Sequence, residues 1–109
     1  MITVIVSYRV KPGFVQQNKR NIHQFLEAFK QLPAGFVYEV FTKDDPNTFV
    51  HFSSYKNESV QTQVLNVPAF KEFQRQRDDS GLDDSHKVEI LHYVGSTAES
   101  FLGKPITAF

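Results

Sequence analysis

The sequence predicts an α+β fold built around one four-stranded antiparallel sheet. Two features of the chain lead to this prediction. Stretches in which β-branched and aromatic residues recur at every second position, as in strands, alternate with stretches of helical period. In addition, glycine, proline and asparagine stand where the period changes. With 109 residues the chain has the length of a single domain, so these elements are expected to share one core.

A strand and a long helix are predicted at the start of the chain. Residues 2–10 alternate in the manner of a strand, which ends at Pro12-Gly13. Between residues 14 and 32 the apolar side chains instead fall on one helical face, and polar side chains fall largely on the other. The sequence Pro33-Ala34-Gly35 ends this helix.

A β-hairpin and two helical segments follow. Residues 36–43 and 48–55 predict two strands that are joined by a polar turn. Asn57 is a suitable cap for a short helix that ends near Leu65. A second helical segment is predicted over residues 67–77, because a proline stands in its first turn.

The last predicted strand covers residues 87–94. The sequence Ser96-Thr97-Ala98-Glu99 fits a capping box, which predicts a short helix over 96–102. We expect a core domain over residues 1–95. We expect residues 96–109 to form an arm that packs on this domain or on a dimer partner, because several of them are large and apolar.

The order βαββαβ is that of the ferredoxin-like fold, in which helices cover one face of a four-stranded antiparallel sheet. The other face is predicted to be apolar as well, since the strands carry large apolar residues in both alternating sets. In the third strand, for example, Phe49 and Tyr55 alternate with Val50 and Phe52. A second copy of the chain would cover this face, so we expect a homodimer.

Composition excludes several classes of function. The 12 basic and 12 acidic residues give no net charge, so neither nucleic-acid binding nor membrane-surface binding is expected. There is no cysteine, and the four histidines do not have metal-ligand spacing, so we expect no metal site. The chain lacks the ~20 consecutive apolar residues that cross a membrane. We therefore expect a cytoplasmic protein whose partners are a small molecule and a second copy of itself.

Four segments carry a family resemblance. They are YRVKPGF at 8–14, FLEAFKQLPAGFVYEVF at 25–41, DDPNTFVHFSSYKNES at 44–59 and VPAFKEF at 67–73. In this order and spacing they resemble the antibiotic biosynthesis monooxygenase-like domains of the dimeric α/β barrel superfamily. The resemblance covers roughly residues 2–95.

The resemblance implies a homodimeric α/β barrel in which two sheets face each other and each subunit has its own pocket. Several members of the family oxidise aromatic polyketides or quinols with dioxygen and use neither metal nor flavin, so no cofactor is expected. Other members degrade haem, process a signalling sugar or have no known activity.

Several family positions differ in this chain. The family often has a tryptophan at the end of the third strand, where this chain has Tyr55. It often has a histidine on each side of the proline in the second helical region, where this chain has Val64 and Ala69. The haem-degrading members have an asparagine and an axial histidine at positions that match Val6 and Gln74. Because valine donates no hydrogen bond and glutamine is a poor iron ligand, haem degradation is not expected.

His51 is the candidate catalytic residue. Alternation along the third strand places it on the face of Phe49, Ser53 and Tyr55. As a base in an apolar pocket, it would remove a proton from a phenolic or enolic substrate, which then reacts with dioxygen. The alternative is a core histidine that is bonded to Ser53, a backbone carbonyl or water. The predicted substrate-binding residues are Tyr55, Phe49, Ser53, Val6, Tyr8, His92 and Gln74.

Three functions are compatible with these features. The first is a cofactor-independent monooxygenase that acts on a small aromatic or hydrophobic, quinol-like substrate. The second is a non-catalytic, small-molecule-binding or stress-associated barrel. The third is an isomerase or decarboxylase, which would need the same base but would consume no oxygen.

Overall fold

A computed structural model describes residues 1–83 and 86–97 of the chain. Two short helical turns adjoin the helices, a 3₁₀ turn at Pro12–Phe14 and a π-helical turn at Arg77–Gly81. The strands and helices, in chain order, are β1 (Ile2–Arg9), α1 (Val15–Phe29), β2 (Phe36–Thr42), β3 (Thr48–Tyr55), α2 (Glu58–Leu65), α3 (Pro68–Gln76) and β4 (Lys87–Leu91).

The four strands form one sheet in the order β2-β3-β1-β4, with all neighbours antiparallel. This confirms the predicted α+β, ferredoxin-like fold. The register places His51 at the centre of the sheet, because it pairs with Val6 of β1 on one side and with Val40 of β2 on the other. Val6 in turn pairs with Val88 of β4, so these side chains share one face.

Local sequence explains where the elements around the site begin. The Asn57 side chain accepts a hydrogen bond from the Val60 amide at 2.9 Å and so caps α2, as predicted. Pro68 stands in the first turn of α3. Gly81 ends the turn after α3 at a point where the Phe14 ring leaves no room for a side chain. These features place α3 and Arg77 beside the sheet.

The core lies between the sheet and the helices α1 and α3. Its centre is the fully buried Phe25 of α1, whose ring contacts Phe29, Tyr38, Phe70 and Phe73 at centroid separations of 5.0–5.4 Å. These edge and tilted contacts are the geometry that aromatic quadrupoles favour. Many of the phenylalanines in the sequence therefore pack in the core between the sheet and the helices.

Some predicted boundaries differ from the structure. Helix α1 ends at Phe29 instead of residue 32, and strand β4 ends at Leu91 instead of residue 94. Leu91 pairs with Thr3, and β1 begins at Ile2, so the chain beyond Leu91 has almost no partner strand left. Of the predicted helix over 96–102, Ser96 and Thr97 are not helical, and the rest of that helix and most of the arm over 96–109 lie outside the described residues.

The face of the sheet that the helices do not cover also carries apolar side chains. They include Ile5, Val37, Phe41, Val50 and Phe52, and Phe41 is 53% exposed. No helix in the described part of the chain is both long and apolar enough to cross a membrane.

Candidate functional site

A cavity of about 270 Å³ lies between the helix-covered face of the sheet and the helices α2 and α3. The sheet supplies its floor, α2 and α3 supply one wall, and β4 supplies the rim. The lining residues are Val4, Val6, Tyr38, His51, Ser53, Tyr55, Gln61, Leu65, Phe70, Phe73, Gln74, Arg77, His86, Val88 and Ile90. Most of this lining is apolar or aromatic, with a few polar groups, as in sites for small organic ligands.

His51 is the buried polar centre of this site. It is 2% exposed, and both of its ring nitrogens are hydrogen-bonded to phenols. Nε2 lies 2.7 Å from the Tyr8 hydroxyl, and Nδ1 lies 2.8 Å from the Tyr38 hydroxyl. The imidazole is accommodated in this buried strand because tyrosines on the two neighbouring strands form hydrogen bonds with both of its ring nitrogens.

Asn18 of α1 extends this network. Its Nδ2 donates to the Tyr8 hydroxyl at 3.0 Å, and its side chain is fully buried. The Oδ1 atom of Asn18 has no hydrogen-bond partner among the described residues. The polar chain therefore runs from Asn18 through Tyr8 and His51 to Tyr38, of which the last two line the cavity.

Burial keeps this network uncharged. Desolvation, with a smaller contribution from the Arg77 charge, lowers the pKa of His51 to about 3, so the imidazole is neutral at physiological pH. Desolvation also raises the pKa of the Tyr8 and Tyr38 hydroxyls above their ordinary value, and it raises the pKa of Tyr55. All three phenols are therefore protonated at neutral pH.

Arg77 brings a positive charge to the cavity wall. Its guanidinium lies over the rings of Tyr8 and Phe73, at 5.3 and 5.4 Å from their centroids. Its Nε donates to Asp78 at 2.9 Å, and the Arg77 side chain is almost completely buried whereas that of Asp78 is half exposed. A cation in this position favours a ligand that carries a negative or partly negative oxygen.

Several aromatic rings pack against the His51 imidazole. The Phe73 ring stacks on the imidazole at 5.3 Å between centroids, and the Phe25 ring lies 6.1 Å away. Tyr38 meets the imidazole edge-on at 5.6 Å. Because these rings come from α1, α3 and β2, the position of His51 depends on the packing of the whole core.

The structure brings five of the eight predicted site residues together at the cavity. These five are Val6, His51, Ser53, Tyr55 and Gln74. Tyr8 lies behind the cavity, where it bonds His51, and the Phe49 ring stacks on Tyr8 at 5.7 Å. His92 follows the end of β4 and lines a different cavity with Phe52 and Leu91.

The hydrogen-bond network and the charge of the site depend on three residues, Asn18, Tyr38 and Arg77, that were not among the predicted site residues. Asn18 falls on the apolar face of α1, three residues after Val15 and four before Ile22, and this polar interruption was a readable signal. Tyr38 shares the alternating set of Phe36, which indicated its face but not its bond to His51. No sequence feature indicated that Arg77 is buried, because it follows α3 among other charged residues that are typical of an exposed segment.

The sequence profile of the family described as antibiotic biosynthesis monooxygenase matches residues 1–76. A comparison with curated proteins found no significant match. Solved structures with the same fold include a crystal structure of an antibiotic biosynthesis monooxygenase, at 18% identity and a TM-score of 0.76, which covers 87% of this chain and 100% of that chain.

Two further structures have the same fold. A conserved protein from Methanosarcina mazei has 22% identity and a TM-score of 0.72, with 83% of this chain and 89% of that chain covered. A protein from Pseudomonas aeruginosa has 16% identity and a TM-score of 0.73, with 86% and 94% covered. The profile match extends over more than half of the sequence, and the chain belongs to the antibiotic biosynthesis monooxygenase family.

Proposed function

We propose that this protein is a monooxygenase that oxidises a small aromatic, quinol-like substrate with dioxygen in the cavity beside His51. The observation that carries the proposal is a neutral imidazole, held by two phenols, at the surface of an aromatic cavity. Membership of the family supports the reaction type.

The cavity is suited to a small ligand with a flat apolar body. Its volume of about 270 Å³ is just below the range of ligand sites, roughly 300–1,000 Å³, so the ligand has to be small. Phe70 and Phe73 provide aromatic surface on one side. The rim residues Val88 and Ile90 are 55% and 60% exposed, so the ligand enters past β4.

The proposed chemistry needs a substrate that binds as a phenolate or enolate. The substrate leaves its proton in solvent, and Arg77 and the hydroxyl of Tyr38 stabilise the anion. Dioxygen then adds to the activated ring carbon. One oxygen atom stays on this carbon as a carbonyl oxygen. The other leaves as water, which takes the hydrogen of this carbon and one proton from solvent that replaces the proton released on binding.

His51 acts in this proposal as the centre of the hydrogen-bond network. The sequence suggested a base, but an imidazole with a pKa of about 3 accepts a proton poorly at neutral pH. A neutral ring between two phenols instead orients the hydroxyl that meets the substrate. Tyr55, Ser53, Val6 and Gln74 contribute further lining.

Oxygen uptake with labelled dioxygen tests the proposal. Wild-type protein is incubated with ¹⁸O₂ and a panel of naphthols, dihydroxynaphthalenes and anthrone, and the products are analysed by mass spectrometry. We expect one labelled oxygen atom in the product and loss of turnover in His51→Gln, whereas His23→Gln on the exposed face of α1 retains it. Equal turnover in His51→Gln would contradict the proposal.

A non-catalytic binding protein is the second candidate. It is favoured by one observation, namely that both nitrogens of His51 are already hydrogen-bonded within the protein. Stoichiometric binding of the same aromatic compounds with no oxygen uptake for any of them would select this function.

We propose that the active form is a homodimer. The apolar residues on the helix-free face of the sheet support this, since monomeric proteins rarely leave such a face in water. A second sheet packed on this face would bury Phe41 and Phe52 while leaving the cavity, which lies on the other face, in each subunit.

A further inference from the structure

The three hydrogen bonds that link Asn18, Tyr8, His51 and Tyr38 all point the same way, each group donating to the next. This direction follows from the donors and acceptors that each group has. The Tyr8 hydroxyl accepts from Asn18 Nδ2. A buried hydroxyl also needs an acceptor for its own proton, and within the described part of the chain the remaining neighbour of the Tyr8 hydroxyl at hydrogen-bond distance is Nε2 of His51. The Tyr8 proton therefore points at Nε2.

The orientation of the Asn18 amide supports this assignment. With Nδ2 towards Tyr8, one of its two N–H groups is bonded, and Oδ1 is the amide atom that has no partner among the described residues. The reverse orientation would bond Oδ1 to Tyr8 and leave both N–H groups of Nδ2 without a partner among those residues. Buried donors without a partner are rarer in proteins than under-satisfied carbonyl oxygens, so the observed orientation is the favoured one.

The tautomer of His51 follows from the same reasoning. A neutral imidazole carries one proton, and a nitrogen that accepts a hydrogen bond is the one without it. If Nε2 accepts from Tyr8, the proton is on Nδ1, which then donates to the Tyr38 hydroxyl 2.8 Å away. The Tyr38 hydroxyl then accepts from His51, so its own proton is available to another acceptor. Because Tyr38 lines the cavity, a ligand there can be that acceptor.

We infer that Asn18, acting through Tyr8, holds His51 as the Nδ1–H tautomer and thereby directs the Tyr38 hydroxyl proton towards the cavity, where it donates to an anionic oxygen of the ligand. Tyr38 is then the residue that touches the substrate, and Asn18 and Tyr8 are positioning residues. The part of this inference that concerns the ligand rests on the proposed function; the part that concerns the tautomer does not.

The charge on the cavity wall agrees with an anionic ligand. Arg77 lines the cavity together with Tyr38. A phenolate oxygen that accepts from Tyr38 therefore lies in the field of a buried cation as well.

Nitrogen-15 NMR of the histidine ring measures the tautomer directly. In wild-type protein we expect His51 Nε2 to have the shift of an unprotonated, hydrogen-bond-accepting nitrogen, and Nδ1 to have that of a protonated one. An Nε2–H tautomer would overturn the inference, whatever the protein binds.

Asn18→Asp tests the positioning role, because it replaces the donor at Tyr8 by an acceptor. Under conditions in which the ¹³C shift shows the new carboxylate to be ionised, we expect the Nε2–H tautomer to appear. An ionised Asp at this position that leaves His51 as Nδ1–H would contradict the role of Asn18.

A phenol that changes colour on ionisation tests the role of Tyr38. Wild-type protein is titrated with 4-nitrophenol at pH values on both sides of its ionisation, and binding of each form is followed by absorbance. We expect Tyr38→Phe to weaken phenolate binding roughly tenfold while neutral phenol binds nearly as before, because hydrogen bonds to charged groups are the stronger ones. Tyr93→Phe, in the other cavity, is the matched control.

Equal loss of both forms in Tyr38→Phe would overturn the donor role. If wild-type protein binds neither form, the proposed function is contradicted, and the tautomer measurement still decides the direction of the polar chain.

Discussion

Acid should destabilise this protein through His51, and the size of the effect follows from the structure. Burial lowers the pKa of His51 from 6.5 to about 3 in the folded protein. The unfolded chain therefore binds a proton at mildly acidic pH that the folded protein does not, so stability falls as the pH drops below 6.5 and continues to fall until about pH 3.

The magnitude comes from the two pKa values. A pKa that differs by one between the folded and unfolded states corresponds to about 1.36 kcal/mol, which gives at most about 5 kcal/mol from this single group. Between pH 7 and pH 5 the same relation predicts a loss of about 2 kcal/mol in the free energy of unfolding. Carboxylates contribute to acid destabilisation too, but mostly at lower pH.

Urea unfolding at pH 7 and pH 5 measures this effect. The wild type is compared with His51→Gln, which retains hydrogen-bonding capacity but does not titrate, and with His23→Gln as a control for loss of an exposed histidine. We expect the loss between the two pH values to be smaller by about 2 kcal/mol in His51→Gln and unchanged in His23→Gln. An equal pH dependence in all three proteins would refute the reasoning.

Three further predictions concern the fold and the assembly. Phe25→Ala removes the central ring of the core and should cost about 3–5 kcal/mol in urea unfolding; a loss below about 1 kcal/mol would contradict the core described above. Asn57→Ala removes the cap of α2 and should cost about 1 kcal/mol, whereas Gln63→Ala, at an exposed position of the same helix, should cost little. Phe41→Lys on the helix-free face should convert a dimer into a monomer in native mass spectrometry without loss of folding, and a wild-type monomer at micromolar concentration would contradict the proposed dimer.

Much of the fold could be predicted from the sequence because local patterns determine it. Alternation in β3 placed His51 and Tyr55 on one face, and both line the cavity. Asn57 and Pro68 marked the starts of α2 and α3 by local chemistry alone. The end of β4 could not be predicted in this way, since it depends on where β1 begins.

The hydrogen-bond network of Asn18, Tyr8, His51 and Tyr38 could not be predicted from local sequence patterns. Its members come from α1, β1, β2 and β3, and their contacts depend on how the helix lies across the sheet. The spacing of Asn18 from Val15 and Ile22 could have indicated its face, but the 3.0 Å contact between Asn18 and Tyr8 requires the tertiary packing. For His92 the local pattern gave a wrong placement. The alternation of β4 predicted that His92 faces the same cavity as His51, but the strand ends at Leu91 and His92 lines the other cavity.

A methyl NMR titration with 2-naphthol tests the central claim most directly, namely that a small aromatic ligand binds beside His51 and Tyr38. Methyl groups of Val6, Leu65 and Val88 report on this cavity, and those of Leu91 and Val94 report on the other. We expect saturable shifts in the first group. Shifts confined to Leu91 and Val94, or no saturable shifts, would contradict the account.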